Sequence, residues 1–192
     1  MTGRRLVLAS ASPRRADLLR QAGLSFEIHP SGIDETARPG EPAGDLAERL
    51  AREKAAAAAA HPSPALVIAA DTLVVLGDDI LSKPRDPDEA RAMLARLAGR
   101  IHEVITGLAL RTLPEEEYHT ERVVSRVEFA PLTTAQIDWY VSTGEGADKA
   151  GAYALQGIGA LIIRSVAGSY TNVIGLPLER LYPHLRRLHF LP

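Results

Sequence analysis

The stretch Arg4-Arg-Leu-Val-Leu-Ala-Ser-Ala-Ser-Pro-Arg-Arg15 decides the fold. Its apolar half, Arg4–Ser10, reads as a buried strand because branched residues crowd a short run. Ser12 then stands as an N-cap, Pro13 takes the first helical position, and Leu18, Leu19 and Ala22 give the helix an inner face. Gly23 stops it. A strand that turns straight into a helix opens an α/β unit.

The alternation continues outward. Leu24–His29 reads as a second strand, and residues 30–44 as a Pro/Gly-rich acidic loop. A long helix is expected from Asp45 to Ala60, closed by Pro62, with Ala55–Ala60 as strong helix formers. Ala65–Leu76 is apolar except for Asp71 and Thr72, and Gly77-Asp78-Asp79 turns it into a partner strand, Ile80–Ser82. Pro87–Leu97 is a helix ended near Gly99. Ile101–Thr112 and Arg122–Phe129 are strands expected to pair across the charged stretch Glu115–Glu121. Thr134–Val141 is a short helix, Ala160–Val166 a strand, Gly168–Asn172 a loop and Leu178–Leu188 the closing helix. Neither a repeat nor a linker interrupts this order, so residues 1–192 read as a single α/β domain.

Composition narrows the function. A net charge of −2 gives no whole-surface attraction to nucleic acid or anionic membrane, so any polyanion must meet a local basic pocket. The absence of cysteine excludes disulfides and thiolate metal ligands. After Met1–Arg5 only Leu6–Ala9 is apolar, too short for a signal-peptide core, and no apolar run nears the ~20 residues of a membrane span; a cytoplasmic protein is expected. The 22 basic residues comprise 19 Arg and only three Lys, at 54, 83 and 149. In a chain so biased, a surviving lysine marks a place for a compact point charge.

Three placements of charge stand out. Arg14 and Arg15 sit in the first turn of a helix, at its positive end, where the dipole favours acidic residues. Free N–H groups, the Ser10 and Ser12 hydroxyls and the two guanidiniums converge there as an anion site, most simply for phosphate. Asp71 lies inside an apolar run and must be paired, metal-bound or at a strand end facing a cleft. Lys54 follows Leu50 by four residues and Leu46 by eight, on an inward helical stripe. Lys83 follows the hairpin beyond Asp71. Glu35 is the leading second carboxylate, with Asp34 and Glu41 as rivals. Cations for a polyphosphate and carboxylates for a divalent ion make a metal-assisted phosphate-ester or anhydride hydrolase. The six histidines are read as showing neither His-x-x-x-His nor His-x-Glu spacing, and most are expected at surface or edge positions. No Gly-x-Ser-x-Gly elbow is present, and aromatic residues are too sparse for a nucleic-acid stacking platform. Tyr118, Trp139, Tyr140 and Tyr170 are read as core or interface residues.

Together, Leu8-Ala-Ser-Ala-Ser-Pro-Arg-Arg15, Asp34-Glu35-Thr36, Arg52-Glu-Lys-Ala55, Ala70-Asp-Thr72 and Lys83-Pro84 resemble the signature blocks of the Maf family. So do Gly99–Gly107, Asp148–Tyr153 with Gln156-Gly157, and Gly168–Pro177. The resemblance implies a single domain with a mixed, strongly twisted sheet flanked by helices, a fold related to that of the inosine triphosphate pyrophosphatases. It also implies a cytoplasmic, homodimeric enzyme that uses Mg²⁺ or Mn²⁺ to split nucleoside triphosphates into monophosphate and pyrophosphate. Arg14, Thr72 and Gln156 match the members acting on dTTP and UTP. Asp71 carries over as the base that activates water and, with Glu35, as a metal carboxylate; Ser10, Ser12, Arg15, Lys54 and Lys83 carry over as phosphate contacts. Gly146 and Ala98 depart from common family residues only in loops. The alternatives are a nucleotide-binding, non-catalytic regulator of septum formation, which would release no pyrophosphate, and a phosphatase of smaller esters, which would release orthophosphate.

Overall fold

The computed structural model describes residues 4–58 and 64–192. The helix end expected at Ala59 and Ala60, its closure at Pro62, His61 and Met1 lie outside the described residues. The elements run β1 (Arg5–Leu8), α1 (Pro13–Gln21), β2 (Glu27–Ile28), α2 (Ala43–Ala57), β3 (Ala65–Leu76), β4 (Asp79–Leu81), α3 (Pro87–Leu97), β5 (Ile101–Leu113) and β6 (Glu117–Phe129). Then come α4 (Thr134–Ser142), two 3₁₀ turns (Ala150–Ala152 and Gly157–Leu161), β7 (Ile163–Ala167), α5 (Tyr170–Ile174) and α6 (Leu178–Arg187). Among the described residues the strands form one seven-stranded sheet in the order β2-β1-β3-β5-β6-β7, with β4 on β3. It is mixed: β1 runs parallel to β2 and β3, while β4 on β3 and β7 on β6 are antiparallel. The α/β class read from the sequence is the class observed.

The chain forms two compact units, the first from described residues within Met1–Asp71, Thr106–Val123 and Gly175–Pro192, the second from Thr72–Ile105 and Val124–Ile174. In the first, strand parity sorts side chains between two faces. Ala65, Val67 and Ala69 of β3, with Ala109 of β5, pack on Ala51 and Ala55 of α2 and on Ala58 just past its end. These small residues let helix and sheet approach closely. At Gly107 a Cβ would lie 2.1 Å from the Ala47 carbonyl oxygen, so only glycine fits under α2. The same parity directs Asp71 toward α2. The opposite face carries Leu66 and Leu110 beneath α6, whose Leu181 and Leu185 are buried.

Arg111, on the α2 side of β5, holds the helix end. Its Nη1 donates to the carbonyls of Ala55, Ala56 and Ala58, and Nε and Nη2 grip the Glu116 carboxylate at 2.9 and 2.7 Å. A basic group there satisfies carbonyls that the helix leaves open and complements its dipole.

The second unit packs α3 and α4 around Phe129, Tyr140 and Tyr153. Tyr140, read as a core or interface residue, is 1% exposed and belongs to this core; Trp139, next to it on α4, is 48% exposed. His102 lies within the same core, with Nε2 2.8 Å from the Tyr153 hydroxyl and its ring edge-on to Phe129 and Tyr153.

Several boundaries move. The strand expected at Leu24–His29 narrows to Glu27–Ile28. The hairpin connection shrinks to Pro114–Glu116, because Arg111 neutralises Glu116 in the turn and β6 takes Glu117–Glu121 as strand. The strand expected at Ala160–Val166 divides into a 3₁₀ turn and β7. In place of the Gly168–Asn172 loop, α5 begins at Tyr170: the Ser169 hydroxyl accepts the Asn172 amide, and Asn172 Nδ2 donates to Val104 O and Ser125 Oγ. Among the described residues no helix is long and apolar enough to cross a membrane.

Candidate active site

The first unit gathers charge where β1 meets α1. Ser10 is buried, and its Oγ accepts from Arg15 Nη1 at 3.0 Å and from the Ser12 amide at 3.2 Å. Arg15 Nε donates to Gly175 O at 2.8 Å. Ser12 is the N-cap residue of α1 by position, but its side chain makes no capping hydrogen bond; the hydroxyl that organises this turn belongs to Ser10. The first turn of α1 holds no acidic residue, so the dipole's positive end faces Arg14 and Arg15 uncompensated. Burial lowers the Arg15 guanidinium from its ordinary value; Asp71 and Glu35 act in the opposite sense, and Arg14 adds to the lowering. Those charges therefore share one field.

Lys54 is the centre of the cluster. At 7% exposure its ammonium donates to Asp71 Oδ1 at 2.6 Å and pairs with Glu35 Oε1 at 2.7 Å. Asp71 is equally buried, whereas Glu35 is exposed. Two carboxylates against one ammonium offset part of the desolvation that each buried charge would otherwise carry.

The loop before α2 explains why Glu35, of the three acidic candidates, reaches Lys54. Asp34 Oδ1 accepts the amide and hydroxyl of Thr36, and this holds its carboxyl below the usual range. Glu41 grips Arg49 Nε and Nη2 at 2.6 and 2.7 Å, which with the Arg38 amide holds its carboxyl down to about 2. Arg49 also donates to Thr36 O and to Glu53, tying the loop to α2. With both rivals occupied locally, Glu35 is left pointing at Lys54.

The structure thus brings Ser10, Arg14, Arg15, Glu35, Lys54 and Asp71 into one cluster. Thr72, Lys83 and Gln156 belong to the second unit. Thr72 is half-buried in β3, Lys83 is exposed beyond β4, and Gln156 is exposed just before the second 3₁₀ turn.

A family described as "Maf-like protein" matches residues 5–188. The chain belongs to the Maf-like family. Among its relatives, "dTTP/UTP pyrophosphatase" of Anaeromyxobacter sp. (strain Fw109-5) is 51% identical over 192 residues, covering 98% of this chain and 92% of that one. The protein of the same name from Myxococcus xanthus (strain DK1622) is 50% identical over 182 residues, 95% and 91% of the two chains. That from Alcanivorax borkumensis (strain ATCC 700651 / DSM 11573 / NCIMB 13689 / SK2) is 48% identical over 177 residues, 91% of each.

Several residues that hold these segments in place carry no mark in the sequence. Arg49 and Arg111 set the acidic loop and α2. In the second unit Glu145 accepts the Tyr140 hydroxyl at 2.8 Å and the Ile158 and Gly159 amides at 2.7 Å each, fixing the turn next to Gln156. Nothing local marks them, since each acts on a distant backbone segment. One His-x-Glu spacing is present after all, at His119-Thr120-Glu121 on β6, and the fold brings His184 to it.

Proposed function

We propose that this Maf-like chain is a nucleoside triphosphate pyrophosphatase acting on dTTP and UTP. In this reading it releases the monophosphate and pyrophosphate, and clears the nucleotide pool of these or modified pyrimidine triphosphates. What carries the reading is the buried Lys54 ammonium held between Asp71 and Glu35, beside Arg15 at the start of α1. The relatives' shared name supports the substrate and product.

Asp71 and Glu35 are hard oxygen donors converging on one point, the donor chemistry that suits Mg²⁺ or Mn²⁺, and they would hold such an ion. When bound, it supplies charge neutralisation on the phosphates. Asp71 accepts the proton of a water whose oxygen attacks the α-phosphorus, while the bond to the bridging oxygen breaks and its electrons leave with pyrophosphate. Arg15, Lys54 and Lys83, with the Ser10 and Ser12 hydroxyls, bind the phosphate oxygens and stabilise charge on the leaving group. Arg14, Thr72 and Gln156 select the base: an amide donates and accepts, as the O and N–H edge of uracil or thymine requires. In this reading the enzyme works in the cytoplasm as a homodimer, on free nucleotides rather than on nucleic acid or membrane.

Purified protein incubated with dTTP, UTP, CTP and 7-methyl-GTP plus Mn²⁺ tests the assignment. Pyrophosphate from dTTP and UTP first among the four is expected; orthophosphate as the product, or no release at all, would overturn it.

A further inference from the structure

We propose that His119, Glu121 and His184 form a binding site for a divalent transition-metal ion, zinc foremost, apart from the carboxylates that Lys54 joins. The ligand atoms of the three residues lie within 4.8 Å of one another. His119 Nε2 is 3.5 Å from Glu121 Oε1, and the two imidazole rings stand 4.2 Å apart.

The fold explains the gathering. His119 and Glu121 are two residues apart on β6 and therefore share a face of the sheet; α6 lays His184 across it. The intervening residue parity faces α2 instead: Arg122 pairs there with Asp45 and Glu48. The proposed site and the Lys54 cluster thus occupy opposite faces of the first unit's strands.

Four tetrahedral ligands with bonds of about 2.1 Å stand about 3.4 Å from one another. The His119–Glu121 separation already matches that spacing, and their side chains, 43% and 25% exposed, have room to close on an ion. Two imidazoles with one carboxylate favour zinc, copper or nickel over magnesium and calcium, which prefer oxygen alone. Both histidines line a pocket of about 390 Å³ that also carries Thr112, Glu117 and Arg187. Three protein ligands beside a polar pocket leave the fourth position to water.

The test uses full-length protein stripped with chelator and titrated with ZnCl₂ by calorimetry, and with CoCl₂ by visible absorption. Wild type, His119→Ala, Glu121→Gln, His184→Gln and the control His189→Ala are compared, with melting temperatures of the metal-free proteins as the folding check. Zinc binding to wild type and control is expected, unaffected by MgCl₂ in large excess. It should weaken by at least about tenfold in each ligand variant, since even outer-shell partners carry that much. Cobalt should give a tetrahedral spectrum that His119→Ala abolishes. Absence of zinc binding in wild type, or smaller losses in the folded ligand variants, would overturn the site. Should His184→Gln not fold, His119→Ala and Glu121→Gln decide alone.

Discussion

The Lys54 ammonium donates to Asp71 Oδ1 at 2.6 Å, joining α2 to β3 through two side chains that are each 9% exposed. Both are buried because small residues let the helix lie close on the strand, and each makes the other's burial tolerable. The same contact fixes the proposed base and a proposed phosphate ligand relative to one another.

Removing one partner of such a pair costs about 3–5 kcal/mol, because a buried charge is left behind. Lys54→Met should show a loss of that size in urea unfolding. Glu35→Gln should lose less than about 1 kcal/mol, since Glu35 is exposed and its ion pair is solvent-screened.

Gly107→Ala forces a Cβ onto the Ala47 carbonyl and must push α2 off the sheet. Overpacking of this kind costs about 1–3 kcal/mol or more. The variant should melt lower and also lose turnover, because α2 carries Lys54. Gly32→Ala, which meets open space, should stay within about 0.5 kcal/mol of wild type in the same melts.

Arg111→Ala releases three carbonyls at the end of α2 and strands Glu116. A loss of about 1.5–3 kcal/mol is expected in urea unfolding, the range for hydrogen bonds to charged groups. Arg111→Lys should recover only part of it, because an ammonium cannot grip a carboxylate with two nitrogens while reaching the helix end.

Burial pushes the His102 imidazole from 6.5 down to about 4. Between those values the unfolded chain binds a proton that the folded chain refuses. Stability therefore falls as pH drops through that window, by at most about 3 kcal/mol. Urea unfolding at pH 7, 5.5 and 4.5 should show this slope in wild type and a flatter one in His102→Gln.

Asp71 was legible in the sequence because a carboxylate within an apolar strand demands a partner, and Lys54 because helical spacing placed it on the inward stripe. Arg14 and Arg15 announced themselves by standing at the wrong end of a helix dipole. The choice of Glu35 over Asp34 and Glu41 was not legible: it rests on Arg49, fifteen residues beyond Asp34, occupying Glu41 and holding the loop. Arg111 looked like any other arginine in an arginine-rich chain, and only the closing of β5 against α2 gives it a task. His184 is 63 residues beyond Glu121, too far for local spacing to join them. Strand cores were read well and strand ends poorly, because ends depend on turn contacts such as Arg111 with Glu116.

Base selection is tested at Gln156. Gln156→Glu replaces a group that donates and accepts with one that only accepts. The preference for dTTP and UTP over CTP should weaken in kcat/KM, while an unchanged ranking would place base selection on other residues.

Pyrophosphate release from dTTP and UTP by wild type and Asp71→Asn, with circular dichroism to check folding, tests the role of Asp71 most directly. A folded variant whose kcat has fallen by about 10²-fold or more is the predicted result, the scale set by loss of a general base. A folded Asp71→Asn variant that turns over at the wild-type rate would contradict it.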